Sequence, residues 1–344
     1  MKGRQIVLDH LGDAKAAALM VDGQLDDLLV EGAAPAPGTI YRAVADRPVK
    51  GQGGIFLKTP EGMAFLRQAK GIAPGDVLTV QVAGYAEPGK AIPVTTRLLF
   101  KSRYAIVTPD APGLNLSRRI RDEDTRDALD LLARGAMGDS PFGLILRSAC
   151  AGADEDEIAH DIAQMRDLAT QVMADRAQLP EMLVEGDDPW ALAWRDWSQP
   201  ADIEQGKGAF ARTGVAEAIA AARGPRVALG VEATMFVEPT RALIAVDVNT
   251  GGDGSHAAGL KANIAAARAL PRALRVRGLG GQVLIDLAPM PKKDRRVFED
   301  SLRAAFRADE IETVLAGWTP LGNYELQRKR ARLPLAEALE GVPR

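Results

Sequence analysis

Residues 245–254 read AVDVNTGGDG, and the strand they complete, ALIAVDV (242–248), is apolar on both sides of the chain. That pattern predicts a strand buried on both faces, so Asp247 at its C-terminal end is a costly charge unless it is paired or holds a metal. Period-2 geometry puts Asn249 on the same face as Asp247. The next apolar strand, QVLIDL (282–287), carries Asp286 at the matching place near its own C-terminal end. As sheet neighbours about 4.8 Å apart, the two strands would bring both carboxylates to the edge where α/β proteins place their ligands. Mg²⁺ takes one or two carboxylates, keeps several waters and accepts phosphate oxygens, so the pair outlines a magnesium site. The residues alone leave a helix-cap or turn role open for each Asp. A calcium loop fits poorly, because Gly251 fills its fifth position and Ala258 its twelfth, where a bidentate Glu belongs.

A helix from about residue 257 joins these strands, and Pro271 inside it predicts a kink, since proline costs about 3 kcal/mol in a regular helix interior. Downstream come a helix opened by Pro291, the strand TVLAGW (313–318) and a last basic helix from about Asn323. Strand, helix, strand in this order is the parallel unit of α/β proteins. Upstream, helices are expected at 123–134, stopped by Gly135, and near 154–178, where Ile158, Ile162, Met165, Leu168 and Val172 recur three or four apart. Trp190, Trp194 and Trp197 share helical spacing and read as core or interface packing, with a platform for bases as the alternative. From Gly38 to about Gly89 the short runs TIYRAV, GGIFLK, MAFLRQ and VLTVQV predict a small antiparallel barrel. Strands at Gln5–Asp9 and Ala16–Val21 precede it, and TRLLF and YAIVT follow, so the barrel is inserted into a larger sheet.

With 344 residues the chain has room for about two or three domains. Its single cysteine, Cys150, excludes intrachain disulfides and cysteine-rich zinc sites and fits a reducing cytosol. The N-terminus MKGRQIVLDHLGD lacks an unbroken apolar run, and no stretch of 18 apolar residues occurs. A cytoplasmic location without membrane partners is therefore expected. The net charge of −3 argues against a generic polyanion binder, but its distribution does not. Residues 90–121 hold seven bases against one acid, whereas residues 122–210 hold seven against twenty.

FVEPTRALIAVDVNTGGDG, LKANIAAARAL, LGGQVLIDLAPM and GNYELQRKRARL, in this order, resemble the catalytic region of the ribonuclease E/G family. IPVTTRLLFKSRYAIVTPD, LNLSRRI and GLILRSACAG match that family upstream, so the resemblance covers most of the chain. It implies a mixed α/β multidomain protein: a ribonuclease H-like subdomain begun by residues 1–37, an inserted OB-type RNA-binding barrel at 38–94, a helical 5′-phosphate-sensor-like region at 95–180, and a catalytic α/β domain at 181–344. It also implies a Mg²⁺-dependent endoribonuclease that cuts single-stranded RNA in processing or decay, leaving 5′-phosphate and 3′-hydroxyl ends. The alternative is an RNA-binding homologue with weak or no cleavage.

Carried over by position, Asp247 and Asp286 match the magnesium ligands and Asn249 the residue that orients the first of them. Phe56 and Phe65 match aromatic RNA-binding positions of the barrel, and Lys90 a basic residue at its rim. Arg147 and Ser148 match a pocket for a 5′-monophosphate, where the usual pair is Arg-Thr, and Arg118 matches another phosphate contact. Ser102 falls where the family's pocket has glycine. Glu325, Arg328 and Arg330 match positions near the active site, where their role is either structural or in contact with RNA, and the two arginines are taken as RNA contacts. The CPxCxGxG element of longer members is missing after the basic segment, so zinc-linked assembly is not expected, while homo-oligomerisation by other contacts stays open. Pro289 stands where many relatives have a further acidic residue.

Overall fold

The computed structural model describes residues 3–49, 51, 53–87 and 89–340. They divide into two units, one formed by residues 1–32 with 201–344 and the other by 33–200. Three antiparallel strands open the first unit: β1 (Arg4–Leu11), β2 (Ala14–Val21) and β3 (Gln24–Val30). Asp22 and Gly23 join β2 to β3 with φ of 49° and 78°, the left-handed pair that the twist of a two-residue hairpin demands.

The second unit begins with β4 (Ile40–Val49), β5 (Gly54–Thr59), β6 (Gly62–Leu66), β7 (Val77–Val82) and β8 (Ile92–Thr95). β4 pairs with both β5 and β7, β5 with β6, β6 with β8 in parallel, and β8 with β7. The ring closes, which removes free edges and makes an OB-type barrel filled by Tyr41, Ile55, Leu57, Val80 and Val82. Beyond it, β9 (Phe100–Lys101), β10 (Ala105–Thr108), β11 (Leu114–Leu116), α1 (Glu123–Met137), β12 (Gly143–Leu146) and α2 (Glu155–Ala174) form a sheet ordered β11-β12-β10-β9 with two helices packed on it. Asp122 caps α1 through Thr125 N–H, and Asp154 caps α2 through the N–H groups of Asp156 and Glu157. α1 passes through Gly135 and stops at Gly138, whose φ of 54° ends the helix. The unit finishes with β13 (Glu181–Val184), which pairs with β4, and α3 (Pro189–Asp196). Residues 181–200 thus lie with the barrel unit and not with the later α/β segment.

The chain re-enters the first unit at β14 (Asp202–Gln205), parallel to β1, followed by α4 (Ala209–Arg212) and α5 (Val215–Ala222). Then come β15 (Arg226–Ala228), β16 (Thr234–Pro239), β17 (Ile244–Asn249), α6 (His256–Val276), β18 (Gly281–Asp286), α7 (Arg295–Ala308), β19 (Thr313–Trp318), β20 (Tyr324–Arg328) and α8 (Leu335–Ala338). The sheet runs β15-β16-β17-β18-β20-β19, and β17 and β18 are parallel, joined through α6. α6 and α7 cover one face, where Val246, Val248, Val283, Ile285, Leu270 and Phe298 share a core. Pro271 is buried and α6 continues past it.

Three sequence readings change here. The strands on either side of the barrel do not share one larger sheet: β1–β3 pair with β14, whereas β9–β12 form a sheet of their own. β17 is buried on one face only: Ile244, Val246 and Val248 enter the core, while Asp247 and Asn249 are exposed. The segment after Asn323 is a strand, not a helix, with Tyr324, Leu326 and Arg328 inward and Gln327 outward. No helix among the described residues is long and apolar enough to cross a membrane.

Candidate active site

In the parallel register of β17 and β18, Asp247 stands opposite Asp286. Partners in register point to the same face, so both carboxylates project from the side of the sheet that α6 and α7 leave open. Asn249, two residues on, donates from Nδ2 to Asp247 Oδ2 at 2.8 Å. That bond fixes one carboxylate oxygen and leaves Oδ1 without a hydrogen bond among the described residues. Asp286 makes no side-chain hydrogen bond or ion pair among them either. Two like charges one strand apart, with no internal cation and with four hard oxygen atoms between them, fit a divalent ion that retains waters. No third His, Cys, Asp or Glu joins them among the described residues.

The backbone after Asp286 is held from α6. Asn263, fully buried, donates to the Ala288 carbonyl at 2.8 Å and accepts from the Ala288 N–H at 3.0 Å. One turn earlier, Gly259 lets the helix approach Pro289: a Cβ there would lie 2.2 Å from the Pro289 carbonyl oxygen. Sequence reasoning missed this brace. Its signal was an asparagine on the buried stripe with Ala262, Ala266 and Ala267, since a buried polar side chain needs partners.

In the second unit, Phe56 on β5 and Phe65 on β6 are directly opposed, with ring centroids 5.5 Å apart and planes tilted by 53°. Both are half-buried and stay outside the barrel core. The Arg47 guanidinium lies 5.4 Å from the Phe56 ring. Gly54 makes room for Phe65, because a Cβ at Gly54 would lie 2.4 Å from the ring. Lys90, in the loop between β7 and β8, pairs with Glu87 at 2.5 Å and is largely exposed.

Arg147 follows β12 directly and is strongly engaged. Its Nη1 donates to the carbonyls of Ser102 (2.6 Å) and Arg195 (3.0 Å), and its Nη2 to Asp196 Oδ1 at 2.8 Å. Arg195 holds Asp196 from the other side, at 3.0 Å and 2.9 Å. Burial pushes the Asp196 carboxyl up, but the hydrogen bonds and charge of Arg195, then of Arg147, outweigh it and keep the group below the ordinary carboxylate range. Three of Arg147's five donors are used, which leaves two. Ser148 follows in a 3-10 turn. The Ser102 hydroxyl turns to Asp161 at 2.5 Å. Arg118 is exposed. Trp197 is buried, while Trp194 is 61% exposed with Arg103 stacked 4.0 Å from its ring centroid.

Arg328 is not a surface residue. It is 1% exposed and donates from Nη1 to Asp309 Oδ2 at 2.5 Å and to Thr313 Oγ1 at 3.0 Å. Asp309 also pairs with Arg275, which bridges to Asp26 at 2.9 Å. The alternation that makes β20 a strand drives Arg328 inward, so the side chain expected to contact RNA is instead enclosed against Asp309 and Thr313. Arg330 is half-buried, its guanidinium against Gly281.

A family model described as "Ribonuclease E/G family" matches residues 100–205 and 198–331. Ribonuclease G of Salmonella typhimurium (strain SL1344) is 29% identical over 300 residues, covering 76% of this chain and 61% of that protein. Ribonuclease G of Escherichia coli (strain K12) is 29% identical over 310 residues, covering 79% and 62%. Ribonuclease E of Nostoc sp. (strain PCC 7120) is 28% identical over 375 residues, covering 91% and 54%. The chain spans about three fifths of the length of the ribonuclease G relatives it matches. With the family model matched over most of its length, the chain belongs to the ribonuclease E/G family.

Proposed function

We propose that this protein is an endoribonuclease that hydrolyses single-stranded RNA with Mg²⁺, leaving 5′-phosphate and 3′-hydroxyl ends, in cytoplasmic RNA processing or decay. The observation that carries the reading is the in-register pair Asp247 and Asp286, unpaired and open to solvent, within a chain of this family. Asp247 and Asp286 would hold the ion, and Asn249 fixes the orientation of Asp247. When bound there, Mg²⁺ supplies a lowered water pKa and a counter-charge for the phosphorane-like transition state. Asn263 and Gly259 keep the strand end beneath Asp286 in place.

The second unit binds the strand. Phe56 and Phe65 offer ring faces to bases at about 1–3 kcal/mol each, independent of sequence, with Lys90 and Arg118 adding phosphate attraction. Arg147 presents its two remaining donors, and Ser148 a hydroxyl, to a 5′-terminal monophosphate. Arg330 contributes positive charge in the first unit.

The test is incubation of purified protein with a 5′-monophosphorylated single-stranded RNA and its 5′-hydroxyl twin, with and without Mg²⁺. Metal-dependent internal cuts, faster on the monophosphorylated strand, are expected. Binding without cuts would leave an RNA-binding homologue, and equal rates on the two strands would remove the 5′-phosphate role of Arg147.

A further inference from the structure

The strand register extends the carboxylate pair into a row. Asp286 on β18 faces Asp247 on β17, Asp247 faces Phe236 on β16, and Phe236 faces Arg226 on β15. Residues opposed in these ladders share a face, so the open side of the sheet presents two carboxylates, a ring and a guanidinium in line across three strand spacings, about 14 Å.

Neither added residue has a structural employment that explains it. Phe236 is half-buried and lies outside the core on the other face, where its neighbours Met235 and Val237 are packed. Arg226 is exposed and makes no ion pair or side-chain hydrogen bond among the described residues. A ring stacks on a nucleobase, and a free guanidinium takes a phosphate. Single-stranded nucleic acid is the polymer that offers both at alternating intervals.

Resting on the reading that Asp247 and Asp286 form the cleavage centre, we propose that Phe236 and Arg226 bind the nucleotide flanking the scissile phosphate. Phe236 stacks on that nucleotide's base, and Arg226 holds the next phosphate outward. The row therefore sets where the strand lies over the carboxylates. Phe236→Leu keeps the apolar bulk and loses the ring face, whereas Phe236→Tyr retains it.

The experiment measures anisotropy of a fluorescein-labelled single-stranded oligoribonucleotide in the absence of divalent metal, with abasic sites placed one at a time along the strand. Besides the positions that face Phe56 and Phe65, wild-type protein should lose affinity at an abasic position adjacent to the cut mapped with Mg²⁺. Phe236→Leu should bind the intact strand about tenfold more weakly and no longer respond to that abasic site, while Phe236→Tyr responds as wild type does. Arg226→Gln should lower the slope of log affinity against log salt by about 0.7, one phosphate contact on a single strand. If both substitutions leave affinity, abasic profile and salt slope at wild-type values while Asp247→Asn abolishes cutting, the row is wrong and the cleavage centre stands. If Asp247→Asn cuts normally, the parent reading fails and takes the row with it.

Discussion

The α/β unit contains two clusters of charged residues that look alike in composition and differ in surroundings. On the open face, Asp247 and Asp286 have no cation, and Asn249 is the one hydrogen-bond partner among the described residues. Under the sheet's far edge, the Asp309 side chain is 1% exposed, clasped by Arg328 and Arg275, with Asp26 beyond. Burial pulls the Arg328 guanidinium below its ordinary range more strongly than Asp309 raises it. An exposed, uncompensated acid pair costs little to fold and remains free for a cation. A buried, compensated one is committed to its neighbours, and removing either partner strands a charge.

The largest effect expected from this contrast is catalytic. Asp247→Asn should cut RNA cleavage by at least about a thousandfold. Its unfolding free energy should stay within about 0.5 kcal/mol of wild type by denaturant titration, since the group is exposed. Asp309→Asn should do the reverse. Leaving Arg328 and Arg275 buried without their shared carboxylate should destabilise the protein by about 3–5 kcal/mol, with cleavage per folded molecule retained. A stable Asp309→Asn variant would erase the distinction.

Asn263→Leu probes the connection between core and site. It leaves the Ala288 N–H and carbonyl without their buried partner, a loss of about 2–3 kcal/mol by denaturant titration. Cleavage should fall as well, because Asp286 lies two residues before the freed backbone.

The smallest effect concerns the Arg147–Asp196–Arg195 bridge. Because the folded-state value of Asp196 is depressed, the bridge contributes fully above the ordinary aspartate pKa of about 4, and that contribution is lost as pH falls through the lower folded value. Wild type should therefore lose thermal stability below about pH 4, and Asp196→Asn, starting lower at neutral pH, should lose less. Parallel melting curves for the two proteins would contradict the assignment.

The sequence made the parallel unit legible because β17 and β18 are apolar strands that each end in an acid, and strand-end position translates directly into register. The barrel was legible for a similar reason, in short alternating runs between turn residues. Arg328 misled because LQRKRARL carries the charge density of a solvated helix. Its burial depends on Asp309, 19 residues earlier, and on Phe306, 5.8 Å from the guanidinium. Asp196 was equally hidden, since its meaning comes from Arg147, 49 residues away. Local pattern located the exposed acids, while the buried ion pairs depend on contacts that no local window contains.

Mn²⁺ binding, followed by electron paramagnetic resonance as a stand-in for Mg²⁺, tests the metal assignment most directly. Wild type and Asp309→Asn should each bind one ion in competition with Mg²⁺, and Asp247→Asn and Asp286→Asn should each lose it. Retention of the bound signal in both of the latter variants would contradict the account.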